Sequence, residues 1–277
     1  MSSYFPIPPN IKTEELSTTI FGSITFLNIP NNRLKSSFLR RKYKDKVFLG
    51  IYKIKDKCWT LTKTFECPPS EFIEINRKDL NATDSEILVA VPKKNNKFLD
   101  QVSDLPQPSS LKIDGSPIAD RVSINFSFHK SLASYQGEYP LEMTFLKETS
   151  FLSFDFLKEP YQSKVFNYLI LVNIFKNASL QDDIRIDYFN PMNKNNIKSF
   201  IAKRNSFTVK NMSLLEDQFE DSKTLFLRSN KCGFIPLVLS ICKDSKKLSL
   251  EHTHPPGEFF YGLRKFEGVK LLKQQWF

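Results

Sequence analysis

Hydrophobic and polar residues alternate along much of this chain with a period of two, which marks strands with one buried face and one wet face. Between 58 and 65, Trp59, Leu61 and Phe65 share one face while Thr60, Thr62 and Thr64 share the other. Residues 47–55 read as the partner strand, with Lys55-Asp56-Lys57 as the turn of a hairpin. The pattern is clearest over 121–130, where Val122, Ile124, Phe126 and Phe128 oppose Ser123, Asn125, Ser127 and His129. Further strands are expected at 19–27, 86–91, 141–146, 151–157, 165–175, 183–189, 199–209, 224–228, 234–242 and 247–254. β-branched and aromatic residues fill these runs, as pleated surfaces prefer.

Helical signals are few. Leu34 and Phe38, then Leu39 and Tyr43, stand four apart and predict a helix over 31–46. A short closing helix is expected in the tail, 258–277, although Gly262 and Gly268 work against it. Residues 99–120 hold three prolines, four serines and no strand pattern, the composition of a linker or long crossing loop. The expectation is a mainly β chain, antiparallel and β-sandwich-like, in two packed parts with few short helices. A basic N-terminal part would span 1–98, and a larger part 121–277.

Composition narrows the classes. With 277 residues, 40% of them hydrophobic and 26 of them Phe, the chain has ample material for a core. Its eight glycines include no G-x-G pair, which excludes a dinucleotide fingerprint, a phosphate-cradling loop and a G-x-S-x-G nucleophile elbow. The first residues lack a basic start followed by an apolar run, so a cytoplasmic protein is expected. No membrane span is expected either, because Asn167 and Asn173 interrupt the longest apolar stretch, 165–175. Cys58 and Cys67 lie nine apart, and Cys232 and Cys242 ten apart. Neither spacing suits zinc, and free buried thiols are expected.

Charge changes the picture most. Ten basic residues fall between 33 and 57, opposed only by Asp45 and Asp56, which leaves +8 of the chain's +10 in that segment. Arg40, Arg41, Lys42, Lys44, Lys53 and Lys55 are its candidate contacts, with Tyr43, Tyr52 and Trp59 interleaved or adjacent. Positive charge beside stackable rings suits an irregular or single-stranded polyanion, since charge tracks the backbone and rings take flat groups. Lys53, Lys55 and Lys57 would share one strand face. A weaker cluster comprises Lys194, Lys198, Lys203, Arg204 and Lys210.

Candidate chemistry rests on three histidines. His252 and His254 alternate on an expected strand, a geometry open to two metal ligands, and Glu258 follows a Pro-Pro turn. None of the 19 residues after Glu258 is His, so no further histidine ligand is expected from the tail. His129 precedes a loop, 134–140, in which Tyr135, Gln136 and Glu138 surround Gly137 and present groups able to grip a small polar ligand. Asp221-Ser-Lys223 and Asp244-Ser-Lys246 have a nuclease-like D-x-K spacing, but 30 acids and this many lysines give such triplets by chance.

Two functions follow as expectations. One is a binding or assembly protein that meets an anionic polymer or a partner subunit through 33–59. The other is an enzyme acting on a small polar or sugar-like substrate. His129, Glu138 and Glu258 would there carry protons, and His252 and His254 a metal. No particular cofactor or oligomeric state is indicated.

Overall fold

The computed structural model describes residues 2–14, 16–28, 45–111, 122–145, 150–155, 165–190, 193–212, 224–229 and 233–252. The chain is mainly β and its strand pairings are antiparallel, as the alternation predicts. It divides into two compact units. The first is Met1–Ser127 with Ser134–Leu141 and Lys176–Leu180; the second is Phe128–Ala133 with Glu142–Phe175 and Gln181–Phe277.

Strands β1 (Ser3–Pro6), β2 (Ile11–Thr13), β3 (Thr18–Leu27), β4 (Val47–Lys55), β5 (Cys58–Cys67) and β6 (Phe72–Asn76) open the chain. They are followed by β7 (Leu88–Lys93), β8 (Gln101–Val102), β9 (Val122–Phe128), β10 (Ser131–Gln136) and β11 (Tyr139–Pro140). One sheet runs in the order β11-β1-β7-β4-β5-β8; the other runs β10-β9-β3-β2, with β6 also on β3. Phe5 of the first sheet meets Phe26 of the second at 5.7 Å between ring centres, so the two sheets pack face to face in a sandwich. Ile24, Phe26, Leu49, Ile51, Ala90 and Phe126 are among the buried side chains on these facing sides. The β4–β5 turn places Asp56 and Lys57 at φ 50° and 60°, the paired left-handed geometry that a tight hairpin demands. Lys57 therefore sits in the turn, not on the strand face expected for Lys53, Lys55 and Lys57.

Residues 99–111, within the expected linker or crossing loop, are tied down along their length. Asp100 accepts a backbone hydrogen bond from Leu61, Lys176 one from Leu105, and Pro92 one from Ser109. Leu105 is buried, and β8 adds a last strand beside β5. Backbone donors that composition cannot reveal found acceptors along the first unit. Residues 112–120 lie outside the described residues, as do most of the expected helix at 31–46 and the whole of 258–277.

Arg77 anchors this unit. It begins a 3₁₀ turn, Arg77–Leu80, capped by the Asn76 side chain, and it is 2% exposed. Its Nε donates to the Pro8 carbonyl at 3.0 Å, while Nη2 donates to Glu86 at 2.8 Å and to Ile7 at 3.3 Å. Nη1 donates to the Thr83 carbonyl. One guanidinium thus ties the 7–8 segment to the 83–86 loop. Burial pushes its pKa down to about 10, so it remains charged at neutral pH.

The second unit carries β12 (Ser150–Asp155), β13 (Val165–Asn173), β14 (Asp183–Asn190) and β15 (Asn193–Lys203). β16 (Ser206–Asn211), β17 (Thr224–Ser229), β18 (Ile235–Cys242) and β19 (Lys247–His252) complete it. Its four-stranded sheets run β12-β17-β14-β15 and β16-β13-β18-β19. The expected single strand at 199–209 is in fact two strands joined at Arg204-Asn205, where Asn205 adopts φ 51°. Asn205 Oδ1 accepts from the Phe175 amide at 2.6 Å, and its own amide donates to Asn173 Oδ1 at 3.2 Å. Asn167 likewise accepts from the Ser240 hydroxyl at 2.7 Å. The asparagines that interrupt the apolar run are buried structural groups, each with its hydrogen bonds met. The segment expected as a strand at 141–146 is instead a 3₁₀ turn, Leu141–Phe145.

Asp187 on β14 accepts from Arg185 and from Arg228, each at 2.7 Å. Burial alone would raise its pKa, but the two guanidinium hydrogen bonds outweigh it and hold the carboxyl below its usual range. A depressed folded pKa gives stability that is present above about pH 4 and is lost as pH falls further. Asp187→Asn is expected to cost about 2–3 kcal/mol at pH 7 and to flatten the acid limb of the unfolding curve. Chemical denaturation at pH 7 and near pH 3 checks this; equal losses at both values would contradict it.

Candidate functional site

Of the ten basic residues between 33 and 57, Lys46, Lys53, Lys55 and Lys57 lie within the described residues. Two of these are neutralised locally. Lys46 pairs with Glu66 at 2.6 Å and Lys53 with Glu86 at 2.8 Å. The hydrogen bond from Lys53, foremost, holds the Glu86 carboxyl below its ordinary range, helped by the Thr83 amide. Lys55 and Lys57 are exposed at the β4–β5 hairpin tip, and neither forms an ion pair among the described residues. Arg33, Lys35, Arg40, Arg41, Lys42 and Lys44 lie outside the described residues.

The aromatic half of the expectation changes. Trp59 is 0% exposed, and its Nε1 donates to the Lys176 carbonyl at 2.8 Å. A ring so placed belongs to the core and offers no stacking face. Tyr52 is buried too; its hydroxyl donates to the Leu99 carbonyl at 3.0 Å, and burial pushes its pKa up to about 12. Period-two alternation grouped Trp59 with Leu61 and Phe65 but could not say whether that face is covered. Large rings beside a hairpin of valines and isoleucines go inward, since ring burial contributes more than any contact with solvent.

His129 also differs from its expected placement on the strand. β9 ends at Phe128, and His129 stands in the turn to β10 with φ 52°, exposed, its ring edge-on to Phe128 at 4.4 Å. It therefore leaves the polar face of Ser123, Asn125 and Ser127. Tyr135 and Gln136 are half-buried residues of β10 rather than loop residues. Glu138 Oε1 accepts from the Val122 amide at 3.3 Å, which holds the carboxylate on the start of β9. Gly137 is required for closeness: a Cβ there would stand 2.8 Å from Val122 Cγ1. His252 pairs in register with Leu237 at the end of β19. His254 and Glu258 lie outside the described residues, as does Cys232. Among the described residues, no group of three or more His, Cys, Asp and Glu is arranged to hold a metal.

The thiols at Cys58 and Cys67 form no disulfide. Cys67 is fully buried, and burial pushes its pKa up to about 11 despite a backbone hydrogen bond from Asn28. It is expected to resist alkylation at pH 7.5 until the first unit unfolds, because only the thiolate reacts. Mass mapping after brief iodoacetamide treatment checks this, and native labelling of Cys67 at the unfolded rate would contradict it.

The second basic cluster is partly spent as well. Arg204 pairs with Asp182 at 3.1 Å and stacks on Phe175, while Lys210 sits over Phe200 at 5.3 Å. Lys198 and Lys203 are exposed. No helix among the described residues is long and apolar enough to cross a membrane. Comparison with known proteins finds no matching family model, no similar characterised protein and no similar solved structure.

Proposed function

We propose that this protein is a binding or assembly protein that holds an anionic polymer on the basic surface built from residues 33–57. The observation that carries the reading is charge density: +8 within 25 consecutive positions, out of +10 for the whole chain. Lys55 and Lys57 at an exposed hairpin tip, neither in an ion pair among the described residues, support it, since exposed like charges attract a polyanion at little desolvation cost. With Trp59 in the core, contact rests on charge and not on ring stacking at that position. Binding is then governed by counterion release and is tolerant of sequence.

Titration of the full chain with heparin or a single-stranded oligonucleotide tests the reading. Affinity should fall by about 10²–10⁴ between 50 and 200 mM salt, as expected for several phosphate or sulfate contacts. Binding that is absent, or insensitive to salt, would overturn it.

A further inference from the structure

Along one edge, β3 meets two different neighbours. β2 pairs with Thr18–Ile20, and β6 pairs with Ser23–Leu27. Phe21 and Gly22 fall between them and leave a notch in the sheet edge. Asn10 Oδ1 closes part of it by accepting the Gly22 amide at 3.1 Å. Only glycine allows this approach, because a Cβ would lie 2.5 Å from the Pro9 carbonyl oxygen and 2.7 Å from that of Pro8.

A pocket of about 180 Å³ opens at this notch, lined in part by Asn10, Phe21, Glu74, Asn76, Lys78 and Ser127. Strand register brings them together: Ser23 stands opposite Asn76 on β6, and Phe21 opposite Ser127 on β9. Their hydrogen-bonding capacity is only partly used. The Ser23 hydroxyl donates to Glu74 Oε1 at 2.9 Å, which orients the carboxylate and leaves Oε2 as an acceptor. Asn76 Oδ1 accepts from the Asp79 amide and Asn10 Oδ1 from Gly22, so both side-chain NH₂ groups remain as donors. Lys78 Nζ lies 5.0 Å from the centre of the Phe21 ring, itself 45% exposed, and no ion pair neutralises the ammonium among the described residues. Arg77 lines the floor, but its donors are engaged with backbone carbonyls.

We propose that this notch binds a monosaccharide-sized polyol carrying one carboxylate or phosphate. The oxyanion lies on Lys78 and the two amides, a ligand hydroxyl donates to Glu74, and Phe21 supplies an apolar wall. Each group excludes an alternative. Glu74 repels a bare oxyanion, and a neutral sugar gains nothing from the Lys78 charge. The volume, below the roughly 300–1,000 Å³ of sites that engulf larger ligands, suits one small ligand or one unit of it. The inference stands apart from the basic segment at 33–57.

Titration of the full chain with glucuronate, glucose 6-phosphate, glucose and inorganic phosphate, followed by amide chemical shifts, tests it. Saturable binding of glucuronate or glucose 6-phosphate is expected, with shifts at Phe21 and Lys78. Glucose and phosphate alone should each bind at least about tenfold more weakly, the factor that one lost charged or hydrogen-bonded contact carries. Lys78→Ala and Glu74→Gln, both at exposed side chains, should each weaken the anionic sugars by about tenfold while keeping the unfolding midpoint. Arg40→Ala/Arg41→Ala/Lys42→Ala should leave this binding unchanged, so the two sites fail or succeed separately. Equal binding by Lys78→Ala, phosphate binding as tightly as the sugar phosphate, or no saturable binding up to about 10 mM would overturn the proposal.

Discussion

Arg77→Met is expected to destabilise the first unit by about 3–5 kcal/mol, the largest loss from any single change away from the apolar core. Methionine fills much of the same volume, so the loss isolates the guanidinium. Four carbonyls, those of Ile7, Pro8, Thr83 and Glu86, lose their donor at once in a place from which water is excluded. Each charge-assisted hydrogen bond is worth roughly 1.5–3 kcal/mol, and release of a buried charge returns part of the sum. Arg77→Lys should fall between, because one ammonium cannot reach acceptors spread over both segments. Urea denaturation with hydrogen exchange read over β1, β6 and β7 measures this. A loss under about 1 kcal/mol would mean that the 7–8 and 83–86 segments hold together without the arginine.

The second large effect concerns binding. Arg40→Ala/Arg41→Ala/Lys42→Ala is expected to weaken heparin or single-strand binding by about 10²–10³ at 50 mM salt and to lower the logarithmic salt slope by roughly 2–3. Three contacts removed account for both figures. Removing three exposed lysines of the second unit, Lys243, Lys246 and Lys247, takes away the same charge elsewhere and should change affinity far less. Equal effects from the two triple variants would show that net charge, and not the 33–57 segment, governs binding.

Much of the fold was legible as alternation. β4 matches its expected span residue for residue, and β3, β5, β13, β14, β17, β18 and β19 differ from theirs by a few positions. Alternation failed where strands are too short to show it: β1, β2 and β8 hold four residues or fewer. It failed again at 199–209, where a left-handed Asn205 makes a turn without glycine or proline. Burial was the less legible quantity. Trp59 and Tyr52 were placed on strands correctly, yet a strand pattern does not say which face a sandwich will cover.

The pocket at the β3 edge left one trace in the sequence, the alternation that sets Phe21, Ser23 and Thr25 on the face opposite Ile20, Ile24 and Phe26. Its other members come from residues 10, 74–78 and 127, which only pairing brings together. Arg77 left no trace at all. A lone arginine in a polar stretch, Asn76-Arg77-Lys78-Asp79, reads as surface until the carbonyls of two distant segments are seen to converge on it. The basic segment is the reverse case: its charge is plain in the sequence, and chemistry rather than topology carries it.

Lysine protection tests the account's central claim most directly. The full chain is acetylated briefly with and without saturating heparin at low salt, and each lysine is quantified by mass spectrometry. The account predicts protection at Lys42, Lys44, Lys55 and Lys57, with Lys12, Lys243, Lys246 and Lys247 labelled as in the free protein. Protection confined to the second unit, or uniform labelling with and without polymer, would contradict it.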